Sequence, residues 1–233
     1  MEPRGAGVEA MEEALRKAFP AARIASFDSA RVRRSRAARE KAVRGWATGK
    51  VDILLGTEML AHQDAPPAAW IAVLHPEARL AHPDFRSAQR TFQSLSRMMR
   101  YAGPNGEVLI QTAAPEHHAI REAARRDYGA FFDAEIGFRK LMHYPPFSAM
   151  AEIVLIGRDP RPLARRARDL VRVFQISVSG LEVTGPGLAA SSGRRGEKGL
   201  QIILRADDPA VLDAGLELGL RSIAGRRSVV RFD

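Results

Sequence analysis

The sequence has 233 residues, 45% of them apolar and 27% charged, with a formal net charge of +9 and no cysteine. That length supports one large or two small globular domains, and the missing thiols exclude a disulfide framework or a thiolate metal site. No apolar run reaches membrane-span length and no signal peptide opens the chain, so a cytoplasmic protein that favours polyanionic partners is expected.

The first helix is expected at residues 8–19, "VEAMEEALRKAF", where Val8, Met11, Leu15 and Phe19 share one stripe. A short strand, "ARIASFD", follows at residues 22–28. Residues 31–50, "RVRRSRAAREKAVRGWATGK", then concentrate positive charge with only Glu40 opposing it. This basic helix reads equally as a solvated face or as a DNA contact. "VDILLGT" (51–57), "WIAVLH" (70–75) and "EVLIQT" (107–112) are continuous apolar runs that suit strands buried on both faces. Between the last two, Phe85, Ala88, Phe92, Leu95 and Met99 mark a helix opened by Pro83. That helix runs into a Gly-Pro-Asn-Gly turn at 103–106. Strands alternating with helices imply a parallel sheet with right-handed crossovers.

From residue 115 the pattern becomes helical as far as Pro145-Pro146, which reads as a connector. "AEIVLIG" is then a strand, followed by a helix with Leu163, Ala167, Leu170, Val171 and Phe174 on its inner side. "LEVTGPG" and "LQIILRA" are strands flanking the basic "SSGRRGEKG". A helix with Leu212, Leu216, Leu220 and Ile223 leads to the last strand, "RSVVRF". The order β-α-β-β-α-β suits a split βαβ sandwich. The expected organisation is α/β for residues 1–113, a helical connector over 114–147, and an α+β domain over 148–233. Trp46 and Trp70 read as packing residues. His117 and His118 lack metal-ligand spacing, and no metal site is expected.

Several segments together resemble the primosomal protein N′ (PriA) family of bacterial replication-restart DNA helicases. "PDFRSAQRTFQSL" (83–95) is similar to the family's P-D-F-R-A-x-E-R segment. "GEVLIQTAAPEHHAI" (106–120) resembles its G-x-V-x-I-Q-T-x-x-P-x-H-x-x-I segment, and "DYGAFFDAEIGFRKLMHYPPFS" (127–148) its D-Y-x-x-F…R-K…Y-P-P-F-S connector. The resemblance implies that residues 1–113 form most of a RecA-like second helicase lobe. It also implies a DNA-binding C-terminal domain similar to ribosomal protein S10. Family members carry a first helicase lobe and a zinc-binding cysteine cluster upstream, so this chain is expected to be a fragment. Any ATP, magnesium or zinc would then bind largely outside it, and no cofactor is expected in this chain.

The family's nucleotide-facing groups are the weak part of the match. Where helicases of this class carry Q-x-x-G-R-x-G-R, the chain reads "RMMRYAGP", so the motif arginines fall on Tyr101 and Pro104, with Gly103 retained. Arg97 and Arg100 lie nearby, but a three-residue shift on a helix moves a side chain about 4.5 Å along the axis. Catalytic geometry tolerates about half an ångström. An arginine finger is worth roughly 10³–10⁵ in phosphoryl-transfer rate, so its displacement is not a small change. "GTEMLAHQDAPP" (56–67) keeps Gly56 and Thr57 of the family's G-T-Q-M-L-A-K-G-H-D-F-P, but has His62-Gln63 for Lys-Gly. His75 and Glu77 stand where the family prefers two aspartates. No catalytic residue is assigned, and ATPase and helicase activity are expected to be absent.

DNA contact is expected from Arg194, Arg195 and Lys198 in the Gly-rich loop, where close backbone approach suits phosphates. The family's corresponding loop is richer in aromatics, so base stacking is not expected. The family also binds the acidic tail of single-stranded DNA-binding protein, and Gln201 matches the tail-contacting position, although Glu197 replaces a family arginine. The expected function is a replication-restart scaffold that binds stalled or branched fork DNA. Its implied partners are single-stranded DNA, single-stranded DNA-binding protein, primosome loaders and the replicative helicase. The alternatives are an active ATP-dependent 3′-5′ helicase of the same family and an RNA or protein adaptor.

Overall fold

The computed structural model describes residues 6–27, 36–82, 84–189, 196–223 and 228–232. Contacts divide the chain into two compact units. One comprises Met1–Ala81 with Arg86–Phe131, the other His82–Phe85 with Phe132–Asp233. Residues 114–131 thus group with the first unit and residues 132–147 with the second.

In the first unit, α1 (Ala6–Ala18) precedes β1 (Ile24–Ser26), and α2 (Arg36–Ala47) precedes β2 (Ile53–Leu55). The strands β1 and β2 pair in parallel, with Ile24 opposite Ile53. Then β3 (Ala68–Leu74), α3 (Ser87–Met99) and β4 (Ala102–Gln111) form a second parallel pair, with Ile71 opposite Val108. The expected single parallel sheet is therefore two separate two-stranded sheets. Its strands are also not buried on both faces. Ile71, Val73, Val108 and Ile110 turn inward, while Trp70 is 67% and Leu109 58% exposed. Side chains alternate across a pleated strand, so a layer on only one side leaves every second residue in water.

The inward face packs against α3 and α4 (His118–Arg125). Phe92, Leu95 and Met99 of α3 are buried with Ala119, Ile120 and Ala123, and the Phe131 ring stacks on Phe92 at 4.1 Å. The helix begins at Ser87, so Phe85 lies before it; Pro83 is outside the described residues. The Gly-Pro-Asn-Gly segment is a bulge within β4 rather than a turn ahead of it. The register passes from Ala68–Ala102 to Trp70–Glu107, leaving Gly103 to Gly106 opposite Ala69 alone. Gly106 is required there, because a Cβ would come 2.8 Å from the Ala68 carbonyl oxygen and 2.7 Å from the Gly103 nitrogen.

Helix α5 (Tyr128–Leu141) leads to the strands and helices of the second unit. These are β5 (Ala149–Gly157), α6 (Pro160–Ser177), β6 (Glu182–Leu188), β7 (Lys198–Ala206), α7 (Pro209–Ile223) and β8 (Ser228–Phe232). The sheet order is β6-β7-β5-β8 and every pairing is antiparallel, the split βαβ arrangement. Its core joins Ala151, Ile153 and Leu155 of β5 and Ile202 and Leu204 of β7 to Leu163, Ala167, Leu170 and Phe174 of α6. Leu212 and Leu216 of α7 close it, and Val171 is half-buried at its margin; the side chains of Leu220 and Ile223 are outside the described residues. Asp159 caps α6 by accepting from the Arg161 N–H at 3.0 Å, with Pro160 in the first turn.

Two segments far apart in sequence meet in this unit. Phe85 lies 5.6 Å from the Tyr144 ring, and the Arg139 guanidinium sits 5.1 Å over the Phe85 ring. Arg139 also holds Glu135 at 2.9 Å, one helical turn away, with both side chains nearly buried. Arg205 fixes the chain after α5 to the sheet, donating to the Met142 carbonyl at 3.1 Å and to Glu182 at 2.8 Å.

Candidate nucleotide and nucleic-acid sites

Of the residues aligned with the helicase nucleotide motifs, Arg97 and Tyr101 contact the neighbouring motif segment. Gly56 and Thr57 leave β2, are exposed, and enter a short 3-10 turn at Leu60–His62. Gly56 is needed for this tight return, since a Cβ would stand 2.7 Å from the Leu60 Cβ. The turn lies against the end of α3. Arg97 donates to His62 Nε2 at 2.8 Å, and the Tyr101 hydroxyl contacts the Ala61 carbonyl at 3.2 Å and the Gln63 carbonyl more closely. Glu58 is ion-paired with Arg79, and the Trp46 indole donates to the Pro66 carbonyl at 3.1 Å. Arg100 ends α3 with an exposed side chain. Gly103 is half-buried near Pro67, and Pro104 is exposed in the bulge.

Sequence reasoning treats Arg97 as a displaced cation and misses that His62 is its partner. A long polar side chain in each of two motifs that share a site is the signal that could have paired them. The expectation for the tryptophans is half corrected: Trp46 is half-buried and bonded, while Trp70 projects from a face of β3 that no layer covers among the described residues.

A second polar cluster joins the carboxyl ends of β3 and β4. Glu77 accepts from the Thr112 hydroxyl at 2.6 Å and from the Ala113 N–H at 3.1 Å, with His75 Nδ1 at 3.4 Å. Chiefly the Thr112 hydroxyl, then backbone N–H groups including that of Ala113, hold the Glu77 carboxyl down to about 2. His75 adopts a left-handed backbone with φ of 50°, a conformation that costs a non-glycine residue energy. His117 caps α4, its Nδ1 accepting from the Ala119 N–H at 3.2 Å. Among the described residues no three His, Asp or Glu side chains gather into a metal site.

In the second unit, Arg194 and Arg195 lie outside the described residues. Lys198 is exposed at the start of β7, opposite Gly157 of β5. Gln201 is half-buried on the same strand, opposite Val154 and Gly187. The unbroken register puts Lys198 on the face shared by Leu200, Ile202 and Leu204, where the helices pack, and Gln201 on the other. The two positions therefore do not form one surface. No helix among the described residues is long and apolar enough to cross a membrane.

The fold and these clusters define an α/β protein of two units, one with parallel strand pairs and one a split βαβ sandwich. The chain is 35% identical over 190 residues to the replication restart protein PriA of Chlamydia pneumoniae, covering 80% of this chain and 25% of that protein. It is 39% identical over 162 residues to the PriA of Chlamydia trachomatis, with 68% and 21% covered. With the PriA of Bacillus subtilis it shares 30% identity over 218 residues, with 91% and 27% covered. The chain belongs to the PriA family and spans roughly a quarter of the length of these relatives. No family model matches it. A designed protein, Foldit4, aligns with 37% of the chain at 18% identity and a TM-score of 0.31, too low to carry weight.

Proposed function

We infer that the chain serves replication restart as a DNA-binding scaffold of stalled or branched forks, without ATP hydrolysis or unwinding. The observation carrying this reading is the mutual engagement of the degenerate motif residues. Tyr101 stands at the first motif arginine and binds two carbonyls of the neighbouring motif, and Arg97 is held by His62. Groups that stabilise developing phosphoryl charge must point at the nucleotide, and these point at protein. A RecA-like ancestry for the first unit and S10-like DNA binding for the second fit this reading, as do the names of the relatives. Forks, single-stranded DNA, single-stranded DNA-binding protein, primosome loaders and the replicative helicase are the partners it implies.

An active ATP-dependent helicase is the second reading, favoured by the exposed Arg100 side chain. One experiment separates the two. Labelled forked DNA is titrated with the protein, and phosphate release from ATP is followed with and without that DNA. The scaffold reading expects binding with background hydrolysis; DNA-stimulated turnover lost in Arg100→Ala would establish the helicase reading instead.

A further inference from the structure

The exposed face of α6 carries four arginines in one line. Arg161, Arg165, Arg168 and Arg172 follow spacings of four, three and four, so at about 100° per residue they fall within about 60° of one another. The core residues Leu163, Ala167, Leu170 and Phe174 occupy the opposite side of the helix. All four arginines are exposed, and none has an ion pair with a described residue. Asp169, also exposed, is the one acidic residue of α6 and lies on the flank of the row. Several arginines elsewhere are paired: Arg16 with Glu12, Arg23 with Asp52, Arg36 with Glu40, and Arg221 of the adjacent α7 with Glu217.

We propose that this arginine row on α6 is a docking surface for the phosphate backbone of duplex DNA. The proposal rests on the DNA-binding reading given above and moves its main contact from the Gly-rich loop to the helix. Like charges at three- and four-residue spacing repel and weaken a helix, and a polyanion laid along the row removes that repulsion. Guanidinium groups suit the task because their planar fork matches phosphate oxygens. The row spans about 16 Å of helix, over which one strand of a duplex presents about five phosphates. The register of β7 places Lys198 opposite Gly157, three residues before α6 begins, on the helix-bearing side of the sheet. With no aromatic side chain in the row, the contact is to backbone and independent of sequence.

The test measures binding of the chain to a fluorescein-labelled random-sequence duplex by anisotropy over a range of salt. Three proteins are compared: the natural chain, Arg161→Gln/Arg165→Gln/Arg168→Gln/Arg172→Gln, and an equal-charge control, Arg16→Gln/Lys17→Gln/Lys140→Gln/Arg221→Gln. Each phosphate contact contributes about 0.9 to the slope of log affinity against log salt, so losing the row should lower that slope by about 2 to 4. The control should change it by less than about 1, and circular dichroism should show all three proteins folded. If the natural chain binds and the row variant matches it, or the control falls equally, the row is a solvated face and the proposal is overturned. If the natural chain binds no DNA, the DNA-binding reading falls as well. Retention of the row's effect on phosphatidylserine vesicles but not on DNA would mark a membrane surface and also overturn it.

Discussion

The Tyr101 hydroxyl lies 3.2 Å from the carbonyl of Ala61, tying the end of α3 to the 3-10 turn after β2. It also reaches the Gln63 carbonyl, so one side chain contacts two backbone acceptors. Where the family resemblance places a motif arginine, this residue holds two pieces of the first unit together.

Tyr101→Phe keeps the ring and removes the only donor. The expected loss is about 1–2 kcal/mol, because two carbonyls then compete for one fewer partner. Urea unfolding measures it, and an unchanged midpoint would mean that the hydroxyl carries no structural weight.

Glu77 predicts a pH dependence of definite sign. Its folded carboxyl titrates at about 2, below the ordinary 4.5, so its contribution to stability is complete above about pH 4.5 and lost as pH falls towards 2. In Glu77→Gln, stability between pH 4.5 and 2 should fall less steeply than in the natural chain. Parallel stability curves for the two proteins would contradict the assignment.

Gly219 lets α7 approach α6. A Cβ there would stand 2.6 Å from Cζ of the fully buried Phe174 ring. Gly219→Ala should destabilise the protein by about 1–3 kcal/mol despite the better helix propensity of alanine. A thermal scan in which the variant melts at or above the natural chain would show that the ring has room to turn away.

The basic Gly-rich segment and Lys198 at the start of β7 supply a separate test of DNA contact. Replacing Arg194, Arg195 and Lys198 together with alanine should weaken duplex binding and reduce the salt slope by up to about 3. An unchanged slope in the same anisotropy assay would remove the loop from the contact surface.

The second unit was legible because each of its signals is long and regular. Leu163, Ala167, Leu170 and Phe174 keep a helical period over three turns, and β5 and β7 are nine residues each, so order and partners follow from pattern and turn chemistry. The first unit was harder. Its β1 and β2 are three residues long, and an apolar run such as "WIAVLH" looks the same whether one face or two are covered. Pairing of β1 with β2 and of β3 with β4, but not across the two sheets, depends on contacts that no local pattern encodes. The same holds for the site: the bond between Arg97 and His62 joins positions 35 residues apart, which no local pattern pairs.

Trp70 is one of only two tryptophans in the chain and stands mostly in solvent. Its indole is therefore a built-in optical reporter for the open side of β3 and β4. Anything that settles on that side should shift its emission to the blue and shield it from acrylamide, while Trp46, already half-buried, supplies the internal reference.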